Sequence, residues 1–392
     1  MSGAGVPPVE LVGLLRAVGV PEAELQRAHD EGTLVLLAID RLALGQDVRF
    51  DLAAACVRSG LPEEELRHIW RSLGFPDPRP GEVVFSEVDL TNLAAVAGLM
   101  HEGIVSPEVT YSMTRVIGSS MARVASALVD AVSSNLDGEA RSMTSGVSGA
   151  EPISLASRDI LPLFPQVLEQ VWRRHLQVAA RRRLLRSDAD DPDIVVGFAD
   201  LVGFTALAQQ VSDEELAEVV DQFEHLAYDV VTAGGGRVVK MIGDEVMFTV
   251  EDPGHAAEIA LGLAQASRDA AELSDVRVGL AMGPVVEREG DVFGVTVNLA
   301  SRATAIAYPG TVVVSQEVRA ALVGRPGIGF KNMRPRNLKN MGRVSLSVLM
   351  RAEDVPSSIR DVIDERRRQM RDAMRERLAA RSTASDESRA PG

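Results

Sequence analysis

The sequence predicts an α+β protein, with an all-helical first half ahead of a domain of alternating strands and helices. Three observations carry this. Apolar residues recur at helical spacing up to about position 135. Beyond Pro192, short apolar runs alternate with amphipathic stretches in the order βαββαβ. Two of those runs are joined by the dipeptide Gly243-Asp244, and glycine first in a two-residue loop marks a type II′ hairpin. That order is the one found in a ferredoxin-like antiparallel core, here with an α/β segment appended.

In the first half, Pro21 and Pro62 are each followed by glutamates, the composition of a first helical turn. Leu90 to Met100 and Val116 to Val132 have helical spacing, with small residues that permit close helix approach. Asn135 to Ser154 is Gly- and Ser-rich without period and is expected to be a loop. Ile160 to Leu185 is expected to be a helix ending in Arg181-Arg182-Arg183, closed by the Asp-rich segment before Pro192. In the second half, strands are expected over 194–199, 237–242, 245–250, 276–282 and 311–315, and helices over 213–231, 255–273 and 297–306. The domains this predicts are 1–155 (helical), 156–192 (connecting helix and linker), 193–355 and 356–392. The last has a charged helix from Ile359 to Arg381 and a disordered tail.

At 392 residues the chain is too long for one ordinary core. A formal charge of −15 argues against a protein that mainly grips nucleic acid or anionic membrane. No apolar run reaches the roughly 20 residues that span a bilayer, and the first residues lack a signal-peptide pattern. The single Cys56 rules out an intrachain disulfide framework. These features predict a soluble, cytoplasmic enzyme. Only three of the 41 basic residues are lysines, so Lys240 within Val238-Val239-Lys240-Met241-Ile242 is not a generic surface cation.

Three short segments hold the candidate chemistry. Asp200 ends the first strand, and Asp244 sits in the hairpin turn. Mg²⁺ or Mn²⁺ is held by one or two carboxylates together with substrate phosphates and water, and two such ions can activate a hydroxyl and clamp phosphoryl oxygens. Taken singly, each aspartate would be an ordinary strand end or turn residue. Lys240 precedes the hairpin; alone it could be an edge-strand lysine that discourages aggregation. Asn298 and Arg302, four apart on a predicted helix, face the same way. Alone they would be an unremarked surface pair. With Asp291, Lys240 and the two aspartates they suit a nucleotide, since a guanidinium fork matches phosphate.

Residues 194–350, with all three segments in family order, resemble the catalytic domain of class III adenylate cyclases. The resemblance implies that Asp200 and Asp244, with the Leu201 backbone carbonyl, bind two metal ions. It implies that Lys240 and Asp291 recognise adenine, that Asn298 orients the ribose and that Arg302 stabilises the transition state. Lysine can donate to adenine N1 and aspartate can accept from its N6 amine, so ATP is the expected substrate. It further implies a homodimer whose subunits share each site, and it places Lys339 as a second phosphate contact. The alternatives are a guanylate cyclase, a diguanylate cyclase (whose glycine doublet is absent, because Ile242 precedes Gly243) and an inactive nucleotide-binding regulator. Gly234-Gly235-Gly236 before Lys240 does not have P-loop spacing.

Residues 50–100 resemble a MerR-like helix-turn-helix. Positions 1–150, however, carry 20 acidic against 11 basic side chains, which disfavours DNA reading. A helical regulatory domain is expected instead, as in actinobacterial soluble cyclases, of which the layout resembles the acid-activated kind. His175, beside Trp172, Arg173 and Arg174, is the candidate pH-responsive residue.

Overall fold

A computed structural model describes residues 9–142 apart from 18, 35, 36, 38–40 and 42–47, residues 163–185, and residues 193–354 apart from 271 and 272. The chain divides into two compact units, Met1–Leu185 and Arg186–Gly392. The charged segment expected over 356–392 lies outside the described residues.

The first unit is helical. Asp51 caps the helix Leu52–Ser59 through the amide of Ala54 at 2.9 Å, and Gly60 ends it at φ 75°. After Pro62 the helix Glu63–Ser72 begins with three glutamates, whose charge suits a helix N-terminus. Ser86 and Asp89 form a reciprocal capping box on the helix Glu87–His101. Leu52, Ala55, Leu66, Ile69, Phe85 and Leu90 bury their apolar faces together. The following helix runs from Pro107 to Ser142, so the first eight residues of the loop expected over Asn135–Ser154 are helical, and the rest of it lies outside the described residues. Extending an existing helix adds one bond per residue fixed and avoids the cost of nucleation, which overrides the weak propensities of Ser, Asn and Gly there. The next described helix is Phe164–Leu185, starting four residues after the expected Ile160. No helix among the described residues is long and apolar enough to cross a membrane.

The second unit is built on a seven-stranded sheet in the order β2-β3-β1-β4-β7-β11-β8. Its strands are β1 (Ile194–Leu201), β2 (Arg237–Ile242), β3 (Glu245–Val250), β4 (Val276–Gly283), β7 (Val312–Val314), β8 (Ile328–Asn332) and β11 (Ser347–Arg351). The first four form the antiparallel ferredoxin-like core, while β7 joins β4 in parallel. Two hairpins, β5 (Val286–Arg288) with β6 (Asp291–Phe293) and β9 (Arg336–Leu338) with β10 (Gly342–Val344), stand outside it. None of β5, β6 or β8–β11 was apparent as an element in the sequence.

The sheet is covered on both faces. On one, Ala199, Val246 and Phe248 pack with Phe223 and Ala227 of the helix Asp213–Ala233, and with Ile259 and Leu263 of the helix Pro253–Asp269. That second helix stops four residues before the expected Leu273. On the other face, Val196, Phe198 and Met247 pack with Ala300 of the helix Val295–Ile306 and with Val292 of β6. Gly279 of β4 makes this second contact possible: a Cβ there would lie 2.3 Å from the amide nitrogen of Thr304.

Candidate active site

Strand alternation places the first carboxylate. Val196 and Phe198 point toward the Val295–Ile306 helix, so Asp200, two further along, belongs to the same face. Asp200 lies opposite Glu245 of β3 and Arg277 of β4 in register. The Arg277 guanidinium donates to Asp200 Oδ2 through Nε at 2.6 Å, and its Nη2 lies 2.5 Å from the same oxygen in an ion pair.

The second carboxylate comes from the β2–β3 turn. Ile242 pairs with Glu245 across a two-residue loop, and of Gly243 and Asp244 only the glycine has positive φ, at 64°. This is the pattern of the expected type II′ turn. The Leu201 amide donates to the Asp244 carbonyl at 3.1 Å, tying the turn to the end of β1. Burial pushes the Asp244 carboxyl up, and the Asp200 carboxylate adds to the rise. Burial, then Asp200 and Asp244, push Glu245 up to about 7. Among the described residues no group of three or more His, Cys, Asp or Glu is placed to hold a metal ion. Asp200 and Asp244 are therefore a pair that needs further oxygens from elsewhere, with Glu245 as a repelling neighbour.

Lys240 reaches the same face by a different device. The β2–β3 register shifts between Val238 and Lys240, so that Val238 pairs with Phe248 and Lys240 with Met247. Without this bulge, alternation would send Lys240 to the Phe248 face. With it, Lys240 joins Met247 and Phe198. Its ammonium donates to Asp291 Oδ2 at 2.5 Å and lies 6.0 Å from the centre of the Phe293 ring. Asp291 Oδ1 accepts from the Val292 amide at 2.8 Å. Lysine has three donors and each carboxylate oxygen two lone pairs, so both groups keep capacity for a ligand.

A cleft of about 350 Å³ opens here, with Lys240, Phe293, Asn298 and Ser301 among its walls. The structure thus brings Lys240, Asp291 and Asn298 together, and separately Asp200, Leu201 and Asp244. Neither aspartate of the second group lines the cleft, and nor does Arg302, which is exposed one turn beyond Asn298. Lys339 is exposed in the turn between β9 and β10 and does not line this cleft, and His175, in the first unit, is exposed on the helix Phe164–Leu185. Sequence reasoning missed Arg277, Glu245 and Phe293. The alternation that places Asp200 could have flagged Glu245, but Arg277 depends on a register between strands 77 positions apart.

Comparison with known proteins gives the family of the chain. Residues 188–351 match the adenylate and guanylate cyclase catalytic domain family. An adenylate cyclase of Streptomyces coelicolor is 37% identical over 306 residues, spanning 77% of this chain and 79% of the relative. One from Streptomyces griseus is 37% identical over 292 residues, 73% of this chain and 72% of the relative. A pH-sensitive adenylate cyclase of Mycobacterium tuberculosis is 29% identical over 345 residues, 85% of each chain. These matches run well beyond the catalytic segment. The chain therefore belongs to the class III nucleotidyl cyclases and is an adenylate cyclase of the actinobacterial type.

Proposed function

We propose that two copies of this chain pair to form two composite sites that convert ATP to 3′,5′-cyclic AMP and pyrophosphate. In each, one copy supplies Asp200, the Leu201 carbonyl and Asp244, and the other supplies Lys240, Asp291, Asn298 and Arg302. The observation that supports this is the separation within one chain: neither Asp200 nor Asp244 is among the residues that wall the cleft with Lys240 and Asn298. Proteins of the class bind a nucleotide, use divalent metal ions and act as dimers.

The roles follow from donor and acceptor chemistry. Lys240 donates to adenine N1, Asp291 accepts from the N6 amine, and their mutual ion pair holds both in place before substrate arrives. Phe293, half exposed beside Lys240, offers the base an apolar face. Asn298 orients the ribose so that its 3′-oxygen approaches the α-phosphorus. That oxygen forms the new P–O bond and gives its proton to solvent water, while the bond to the bridging oxygen breaks and its electron pair leaves with pyrophosphate. Arg302 stabilises the negative charge that builds on the phosphoryl oxygens.

Asp200 and Asp244 fit a divalent cation. They are two carboxylates fixed by a strand end and a tight turn, and burial, with the Asp200 charge adding to it, raises the Asp244 carboxyl. Mg²⁺ or Mn²⁺ bound there, two ions per site, would activate the hydroxyl and neutralise phosphate charge. Until then Arg277 balances Asp200. The first unit, with His175, is proposed to regulate this site, with pH as the candidate signal.

Incubating the purified chain with Mn²⁺ and either ATP or GTP tests the base assignment. Cyclic AMP should dominate. Cyclic GMP as the main product would defeat the roles given to Lys240 and Asp291.

A further inference from the structure

Two side chains of β2 grip consecutive residues of the β5–β6 hairpin. Arg237 donates through Nη1 to the Gly290 carbonyl at 2.9 Å, and Lys240 holds the Asp291 carboxylate. In a regular strand, residues three apart point to opposite faces. The register shift between Val238 and Lys240 brings these two onto one face. Arg237 is not among the residues that wall the cleft, whereas Val292, Phe293 and Gly294, which follow Asp291, are.

The hairpin needs such a hold. It stands outside the seven-stranded sheet, and both residues of its turn, Glu289 and Gly290, have positive φ, at 54° and 81°. This is the pattern of a type I′ turn, which favours Asn-Gly, Asp-Gly or Gly-Gly. A glutamate in the left-handed region persists only where its surroundings fix it. The Lys240–Asp291 pair cannot be the whole of that support, because under the proposed roles both groups turn to adenine when substrate binds. The bond from Arg237 ends on a backbone carbonyl that the base does not use.

We infer that Arg237 is a positioning residue of the base-reading pocket. By fixing the Gly290 carbonyl it sets where the next residue, Asp291, presents its carboxylate to the N6 amine. The inference rests on the role proposed for Asp291 and adds what aims it. Arg237 lies outside the cleft, so its loss falls on discrimination at the 6-position of the purine.

The test compares ATP with purine riboside 5′-triphosphate, which keeps N1 and lacks the 6-amino group. Pyrophosphate release by the full chain is measured with Mn²⁺. The ratio of the two kcat/KM values does not depend on how much of a preparation is folded. Asp291→Ala should lower that ratio by roughly 10-fold, the loss of one hydrogen bond to a charged group. Arg237→Met keeps the apolar stem without the donor, and Arg237→Gln carries an amide too short to reach Gly290. Each should lower the ratio by roughly 3- to 10-fold, because a displaced acceptor keeps part of its bond. In an Asp291→Ala chain, adding Arg237→Met should leave the ratio where Asp291→Ala alone sets it. An unchanged ratio in an Arg237 variant, or a further fall in the double variant, overturns the inference and leaves the role of Asp291 standing. Failure of both Arg237 variants to fold would make the residue a structural one and also overturn it. A ratio unmoved by Asp291→Ala defeats the base reading itself, and the inference with it.

Discussion

Lys240 and Asp291, 51 positions apart, meet at 2.5 Å because a bulge in β2 turns the lysine onto the face that β6 approaches. The pair is partly exposed, at 37% and 27% of its side chains, and opens on a cleft. Surface ion pairs of this kind add little stability, so under the proposed function its value lies in positioning donor and acceptor for a purine. Lys240→Ala should lower kcat/KM for ATP by roughly 10- to 100-fold, the loss of one charge-assisted hydrogen bond, with little change in Tm. Because the residues act as a unit, adding Asp291→Ala should cost less than the product of the single losses. Full additivity in that double-mutant cycle would show that the two act independently.

Arg277 holds Asp200 where a cation is proposed to bind. Arg277→Gln leaves the Asp200, Asp244 and Glu245 carboxylates without their balancing charge. The metal-free variant should melt below the wild type, and saturating Mn²⁺ should raise its Tm by more than it raises the wild type's. An equal Mn²⁺ increment in both proteins would contradict the competition between guanidinium and metal.

Glu245 should make the metal-free protein less stable as pH rises toward neutrality. Its carboxyl is raised from 4.5 to about 7 by burial and by Asp200 and Asp244. A raised folded value means that this group's stability contribution is fully present below about pH 4.5 and is lost as pH climbs through 7. Glu245→Gln should flatten that part of the fall in Tm between pH 5 and pH 8, measured in chelator. A variant whose Tm falls as steeply as the wild type's would place the titration elsewhere.

Gly279 sets the height of the helix that carries Asn298 and Arg302. A Cβ there would lie 2.3 Å from the Thr304 amide nitrogen and 2.5 Å from the Ala300 carbonyl oxygen, both backbone atoms that cannot swing aside. Gly279→Ala should cost about 1–3 kcal/mol by denaturant unfolding and reduce cyclic AMP formation by lifting both residues. Full activity in a folded variant would show that the helix position is not critical.

Much of this was legible in the sequence. β2 and β3 have their expected limits, because alternation and a Gly-first turn are local signals. Asp200 and Asp244 meet because such a turn sits beside the end of β1. What stayed hidden depends on register: the bulge that aims Lys240, the pairing that sets Arg277 on Asp200, and the three-residue strands of the outer hairpins. Residues 135–142 were expected to form a loop and are helical, because a helix already under way outweighs weak local propensity.

The shared site is tested most directly by complementation. An Asp200→Ala chain and an Arg302→Ala chain, each inactive alone, are combined and the heterodimer is purified through two different tags. One site then joins intact Asp200 and Asp244 from one copy to intact Lys240, Asn298 and Arg302 from the other, so about half the wild-type rate per dimer is predicted. A confirmed heterodimer with no activity above its inactive parents would contradict the shared site.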